Sequence, residues 1–217
     1  YEYTLDAHVK NLRFLLTHLN INEYSLVVHD WGGAIGFGVA GQEPDKIQSA
    51  VVLNTAAFRS RNIPLRIAVC KIPIIGELII RGLNGFAWPA TFMAVNKSME
   101  NDVKQGFLMP YNSWKSRIAT HRFVKDIPLD DKHPSYETLV RVEKGLERFQ
   151  ERALPMLIAW GGKDFCFNDS FFEEWKHRFS HADVKYYPDG GHYILEDERE
   201  DVNREIANFF NNILPKD

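Results

Sequence analysis

The 217-residue sequence predicts an α/β fold in which a parallel sheet is interrupted by a helical insertion. Three observations predict it. Helical and short apolar segments alternate near both ends of the chain, the middle loses that alternation, and Ile47 to Thr55 and Pro155 to Trp160 read as buried strands, as in parallel sheets.

Leu5, Val9, Leu12, Leu15, Leu16 and Leu19 recur at helical spacing, and Asn20 to Glu23 breaks the pattern before a short strand, Tyr24 to His29. Behind Gly32 and Gly33, Ala34 to Ala40 reads as a helix of small residues able to pack tightly on a sheet. Ile47 to Thr55, IQSAVVLNT, is the next buried strand, so strand, helix and strand form a crossover unit with parallel strands. Residues 57–153 read as aromatic-rich helical pieces punctuated by Pro89, Pro110, Pro128 and Pro134, a lid inserted between core parts 1–56 and 154–217. Pro155 to Trp160 resumes a buried strand, Phe171 to Phe179 a helix and Val184 to Tyr187 a last strand. A final helix turns Val202, Ile206, Phe209, Phe210 and Leu214 inward.

Composition narrows the function. A net charge of -3 without a long basic run gives no footprint for nucleic acid or an anionic membrane, leaving a small molecule as the expected partner. The most apolar region, Ile63 to Trp88, is interrupted by Arg66, Lys71, Glu77 and Arg81, which argues against a transmembrane segment. The two cysteines, Cys70 and Cys166, lack metal-ligand spacing and read as free thiols, which points to the cytoplasm. No cofactor or metal is expected: Glu196, Asp197 and Glu198 read as a solvated loop and an acidic helix start, and His8, His18, His121, His133, His177 and His181 as surface groups.

The chemistry sits where apolar runs end. SLVVHDWGGAIG places Asp30 at the tip of a strand, ahead of a glycine-lined helix start, the geometry of a nucleophile elbow. A helix cap is the alternative role for Asp30. WGGKDF places Asp164 just beyond a second strand, and PDGGHYILEDE places His192 in the loop after the last one. All three lie beyond strand C-terminal ends, where parallel sheets bind ligands, in the chain order nucleophile, acid, histidine.

In these segments the chain closely resembles the α/β-hydrolase fold superfamily, specifically the aspartate-nucleophile branch of haloalkane dehalogenases and epoxide hydrolases. The resemblance runs through VVHDWGGAIG, WGGKD and GGHYILED, with a lid where the family carries its cap. It implies that Asp30 is the nucleophile, His192 the general base and Asp164 the carboxylate that orients it. Trp31 would offer its backbone N–H to an oxyanion and its indole N–H to a halide. A carboxylate that displaces a leaving group from an sp3 carbon leaves an ester that water can cleave, whereas serine would leave an inert ether. Trp88, Phe92, Phe107, Trp114 and Phe165 are expected to line a site for a small hydrophobic substrate.

Val28, where epoxide hydrolases usually carry glycine, favours haloalkane dehalogenase chemistry. Epoxide hydrolysis, with Tyr111 and Tyr136 as candidate donors, is one alternative. WGGKDFCFND is similar to the subgroup containing the β-lactone decarboxylase of olefinic hydrocarbon biosynthesis, so release of an olefin and carbon dioxide from a long-chain β-lactone is another. The family fold carries strands and an oxyanion loop ahead of the point where this chain begins. The expectation is therefore a fragment of a complete enzyme, or alternatively a shortened non-catalytic relative or binding module, with the edge of the first strand open to self-association.

Overall fold

Four parallel strands in the order β1-β2-β3-β4 form the central sheet of the computed structural model, which describes residues 1–213. They are β1 (Tyr24–Asp30), β2 (Ile47–Thr55), β3 (Met156–Gly161) and β4 (Asp183–Tyr187). Val52 lies in register between Val28 and Ile158, and Ala50 between Leu26 and Met156. Side chains alternate across a strand, so Ala50, Val52, Met156 and Ile158 feed one core while Val51, Leu53, Leu157 and Ala159 feed another. Both faces of β2 and β3 are covered, which is why residues 50–53 and 156–160 are apolar without interruption. At the β1 edge Val27 remains exposed.

In chain order the helices are α1 (Leu5–His18), α2 (Trp31–Ala40), α3 (Leu65–Lys71), α4 (Ile75–Glu77), α5 (Ala87–Met93), α6 (Asn101–Leu108), α7 (Ile118–Lys125), α8 (Tyr136–Glu151), α9 (Asp169–Arg178), α10 (Ile194–Asp197) and α11 (Arg199–Ile213). A one-turn π-helix, Leu78–Gly82, follows α4. Helices α1, α2, α8 and α9 cover the first face, with Phe37, Phe149 and Trp175 at its centre; α10 and α11 cover the second through Ile194, Val202 and Phe209. Leu214 lies outside the described residues.

Two sequence expectations change. Only Leu5, Val9, Leu12 and Leu16 of α1 reach the core, a single stripe at helical spacing, whereas Leu15 and Leu19 are exposed. The segment 57–153, expected to form the lid as one piece, divides: α3, α5 and α7 line the cavity at the strand ends, while α8 sends Leu139, Val142, Leu146 and Phe149 into the sheet core. Periodicity reveals the buried face of a helix but not the layer it joins. Helices α1, α2 and α8 approach closely at Gly38, where a Cβ would lie 2.6 Å from Val9 Cγ2 and 3.3 Å from Val142 Cγ2. No helix among the described residues is long and apolar enough to cross a membrane.

Candidate active site

Strand β1 passes into α2 with no linker, and the turn is made at Asp30, whose φ of 50° and ψ of -127° lie outside the regions a side-chain-bearing residue prefers. Thr55, at the end of β2, holds the turn: its hydroxyl donates to the Asp30 carbonyl and accepts the Gly33 N–H at 3.2 Å. A Cβ at Gly33 would overlap that hydroxyl and lie 2.9 Å from Thr55 Cγ2, so only glycine fits. At Gly32 the nearest atom, Val28 Cβ, is 3.8 Å away, so this glycine is not required by crowding. The Asp30 side chain makes no capping hydrogen bond to α2. Its carboxylate is not spent on the helix; the turn presents it instead.

The acid and the histidine meet. His192 Nδ1 donates to Asp164 Oδ2 at 2.8 Å, and the Cys166 N–H donates to the other carboxylate oxygen at 2.6 Å. The Asp164 side chain is fully buried and that of His192 nearly so. Burial pulls the His192 imidazole down, but the Asp164 hydrogen bond and the charges of Asp164 and Asp30 outweigh it and hold the ring above the ordinary histidine value. His29, next to the elbow, donates from Nε2 to the His192 carbonyl at 2.8 Å; burial and then the neighbouring His192 charge hold it below the ordinary value. Asn54 joins the strand ends, its amide donating to the Gly161 carbonyl at 3.0 Å and accepting the Gly161 N–H at 2.8 Å.

Asp30, Trp31 and His192 open on one cavity of about 580 Å³. Ile63, Ile67 and Cys70 from the α3 region line its far side, with Ala87, Ala90 and Met93 from α5 and Phe123 from α7. Trp31 packs edge-to-face on Phe123, with ring centres 5.2 Å apart. Cys166 also lines the cavity, where burial and then the charges of Asp164 and Asp30 push its thiol far up, against the thiolate form.

Of the expected pocket residues Phe165 lines the cavity, whereas Trp88, Phe92, Phe107 and Trp114 do not. Trp88 and Phe92 share the outer face of α5 and pack on each other at 5.1 Å, because the inner face carries the small residues that leave room for a ligand. Trp114 is stacked by Arg81 at 4.4 Å, and Phe107 packs on Tyr193 at 4.9 Å. Tyr111 lines the cavity but Tyr136 lies outside it, so the two candidate phenols are not brought together.

Two sets of acid and histidine expectations also change. Asp197 is not solvated: it is 4 % exposed and accepts N–H groups from Gly191 at 2.7 Å, Asn96 at 2.8 Å and Lys97 at 2.7 Å. Its neighbours Glu196 and Glu198 pair with Arg199 and Lys97. His121 is buried within the lid, and His8 is half-buried against the Phe123 ring at 4.4 Å.

A family model described as the alpha/beta hydrolase family matches residues 1–205. A cis-3-alkyl-4-alkyloxetan-2-one decarboxylase of Shewanella oneidensis is 38% identical over 214 residues, covering 96% of this chain and 67% of that protein. The same enzyme of Xanthomonas campestris is 38% identical over 204 residues, covering 92% of this chain and 67% of that protein. The crystal structure of haloalkane dehalogenase DbeA from Bradyrhizobium elkani superposes with a TM-score of 0.87 at 20% identity, covering 98% of this chain and 75% of that one.

Proposed function

The chain belongs to the α/β-hydrolase family, and from that premise we propose that it decarboxylates an oxetan-2-one bearing two alkyl chains, with Asp30 as the nucleophile. One observation carries the chemistry: a carboxylate that makes no helix-capping bond is held at a strained turn on an apolar cavity, beside a His192–Asp164 pair. The two relatives at 38% identity supply the carbon skeleton. A cavity of about 580 Å³ lies in the size range of small-molecule sites, and its aliphatic and aromatic lining suits alkyl chains.

An oxetan-2-one is a strained four-membered ring whose ring oxygen joins the carbonyl carbon to an sp3 carbon. Asp30 attacks that sp3 carbon, the ring C–O bond breaks, and the ring oxygen leaves as part of a carboxylate while Asp30 becomes an ester. The His192 ring, held above its ordinary value, donates to the departing carboxylate as imidazolium, and the Trp31 N–H at the start of α2 lies on the same wall. The carboxylate then loses carbon dioxide. The electron pair of the broken C–C bond forms the alkene, and the ester C–O bond breaks to restore Asp30. No water is consumed.

A hydrolytic second reading is favoured by the His192–Asp164 pair, which also suits activation of water toward the same kind of ester. Here His192 works as neutral imidazole, after Asp30 has displaced a halide. The test is incubation with a cis-dialkyl oxetan-2-one or a 1-bromoalkane in heavy-oxygen water, followed by gas chromatography and mass analysis of Asp30. Equimolar olefin and carbon dioxide with unlabelled Asp30 supports decarboxylation. Bromide release with label in Asp30 supports hydrolysis and counts against the lactone, and no turnover of either substrate sinks both readings.

A further inference from the structure

His192 is held by its peptide backbone from three directions. The residue before it, Gly191, donates to Asp197 Oδ2 at 2.7 Å; the residue after it, Tyr193, donates to the Ala94 carbonyl at 2.7 Å; its own carbonyl accepts from His29. Two of these ties lead to one segment of the lid. Ala94 lines the cavity directly behind α5, and two residues further on the amides of Asn96 and Lys97 both donate to the Asp197 carboxylate. Lys97 also reaches back with its ammonium to the Asp197 carbonyl at 2.6 Å and Glu198 at 2.9 Å. A Cβ on Gly191 would stand 2.8 Å from Ala94 O and 2.9 Å from Asp197 Oδ2, so the contact tolerates no side chain.

From this arrangement we infer that Asp197 is a positioning residue: its carboxylate pins the His192 loop to the Ala94–Lys97 turn of the lid, so that the histidine and the cavity wall take up their places together. One buried carboxylate accepting amides from both sides is the simplest device for this, because charge-assisted bonds are about twice as strong as neutral ones. Its loss leaves three amides seeking an acceptor in a buried site. Asp197 does not line the cavity. The inference rests on His192 being the working histidine and is indifferent to the choice between lactone and haloalkane.

The test compares Asp197→Asn with Asp126→Asn. Asp126 is another buried carboxylate joining lid to core, through the Leu5 N–H at 2.7 Å and the Ser135 hydroxyl at 2.6 Å, with no bond to the His192 loop. Each variant is followed by thermal melting and by NMR titration of the His192 ring, whose midpoint reports its alignment with Asp164 independently of any substrate. Asp197→Asn should lower that midpoint toward the ordinary histidine value and reduce turnover roughly 10²-fold, the scale expected for a displacement of about 1 Å. Asp126→Asn should lower the melting temperature and leave the midpoint in place. A melting shift in Asp197→Asn with an unmoved His192 midpoint would overturn the proposal. Should Asp197→Asn not fold, amide exchange in the parent protein decides: Gly191, Tyr193, Asn96 and Lys97 should exchange as one group, and rapid exchange of Asn96 and Lys97 beside a protected Gly191 would refute the link.

Discussion

The two walls of the cavity are built from opposite materials. The strand-end wall is polar, and nearly every group on it has a partner: Asp164 is bonded through both oxygens, His192 through ring and backbone, Thr55 in both directions, and Asn54 through both ends of its amide. The Asp30 carboxylate, by contrast, is not taken up by the helix it precedes. The lid wall is mostly alanine, isoleucine, methionine and phenylalanine, with a few polar groups such as Asn62, Arg66 and Tyr111 among them. The difference separates two jobs. Under the proposed function, the first wall would act on the bond that breaks and the second on the molecule that fits.

That division can be broken most severely at Asp30. Asp30→Ala should cost roughly 10⁴-fold or more in turnover, as removal of a nucleophile does, without weakening binding of an unreactive dialkyl ligand measured by tryptophan fluorescence. Equal loss of binding and turnover would mean that the strand-end wall also selects the substrate. His192→Gln should cost about 10²- to 10⁴-fold and, if Asp30 carries an ester, leave that adduct visible by mass spectrometry of the intact protein.

The pH profile tells which form of His192 works. Its affinity for protons lies above the ordinary histidine value, so the imidazolium persists to higher pH than a free histidine would allow. Decarboxylation through imidazolium predicts a rate that is full at low pH and falls as pH rises through the raised value. Hydrolysis through neutral imidazole predicts a rate that is lost as pH falls through the same value.

On the lid wall, Ala90→Phe should leave turnover of short substrates within a few-fold and disfavour long-chain ones about 10- to 200-fold, the scale of one to three kcal/mol of lost pocket contact. The smallest effect is expected from Trp88→Ala, which should change kcat and KM by less than about two-fold because this indole lies on the outer face of α5. Agreement between Trp88→Ala and Ala90→Phe would show that the lid faces are misassigned.

The same two walls differ in how far the sequence discloses them. The placement of Asp30, Trp31, Asp164 and His192 beyond the strand ends was legible because strand and turn follow one another locally, with glycines beside each turn. The fold class was legible for the same reason. The lid lining was not. Trp88 and Phe92 are the bulkiest hydrophobic residues of α5, while the residues that bound the space include Ala87, Ala90 and Ala94, and only the packing of α5 over the strand ends decides which side is inner. Their spacing of three and four was the available signal. Asp197 was hidden among acids that do face solvent, since its partners Asn96 and Lys97 are distant in sequence and donate through backbone amides, which leave no residue signature.

The bonds between Asp197 and the Ala94–Lys97 turn bear on how enzymes of this architecture diversify. A lid carried on one continuous segment between β2 and β3 invites exchange between relatives as a way of acquiring new substrates. Here such an exchange would succeed only if the incoming segment presented two amides and a carbonyl at the same place, because the recipient's histidine leans on them. Recombination is thereby restricted to donors that share the seam, while substitutions along the inner stripe of α5 remain free to vary.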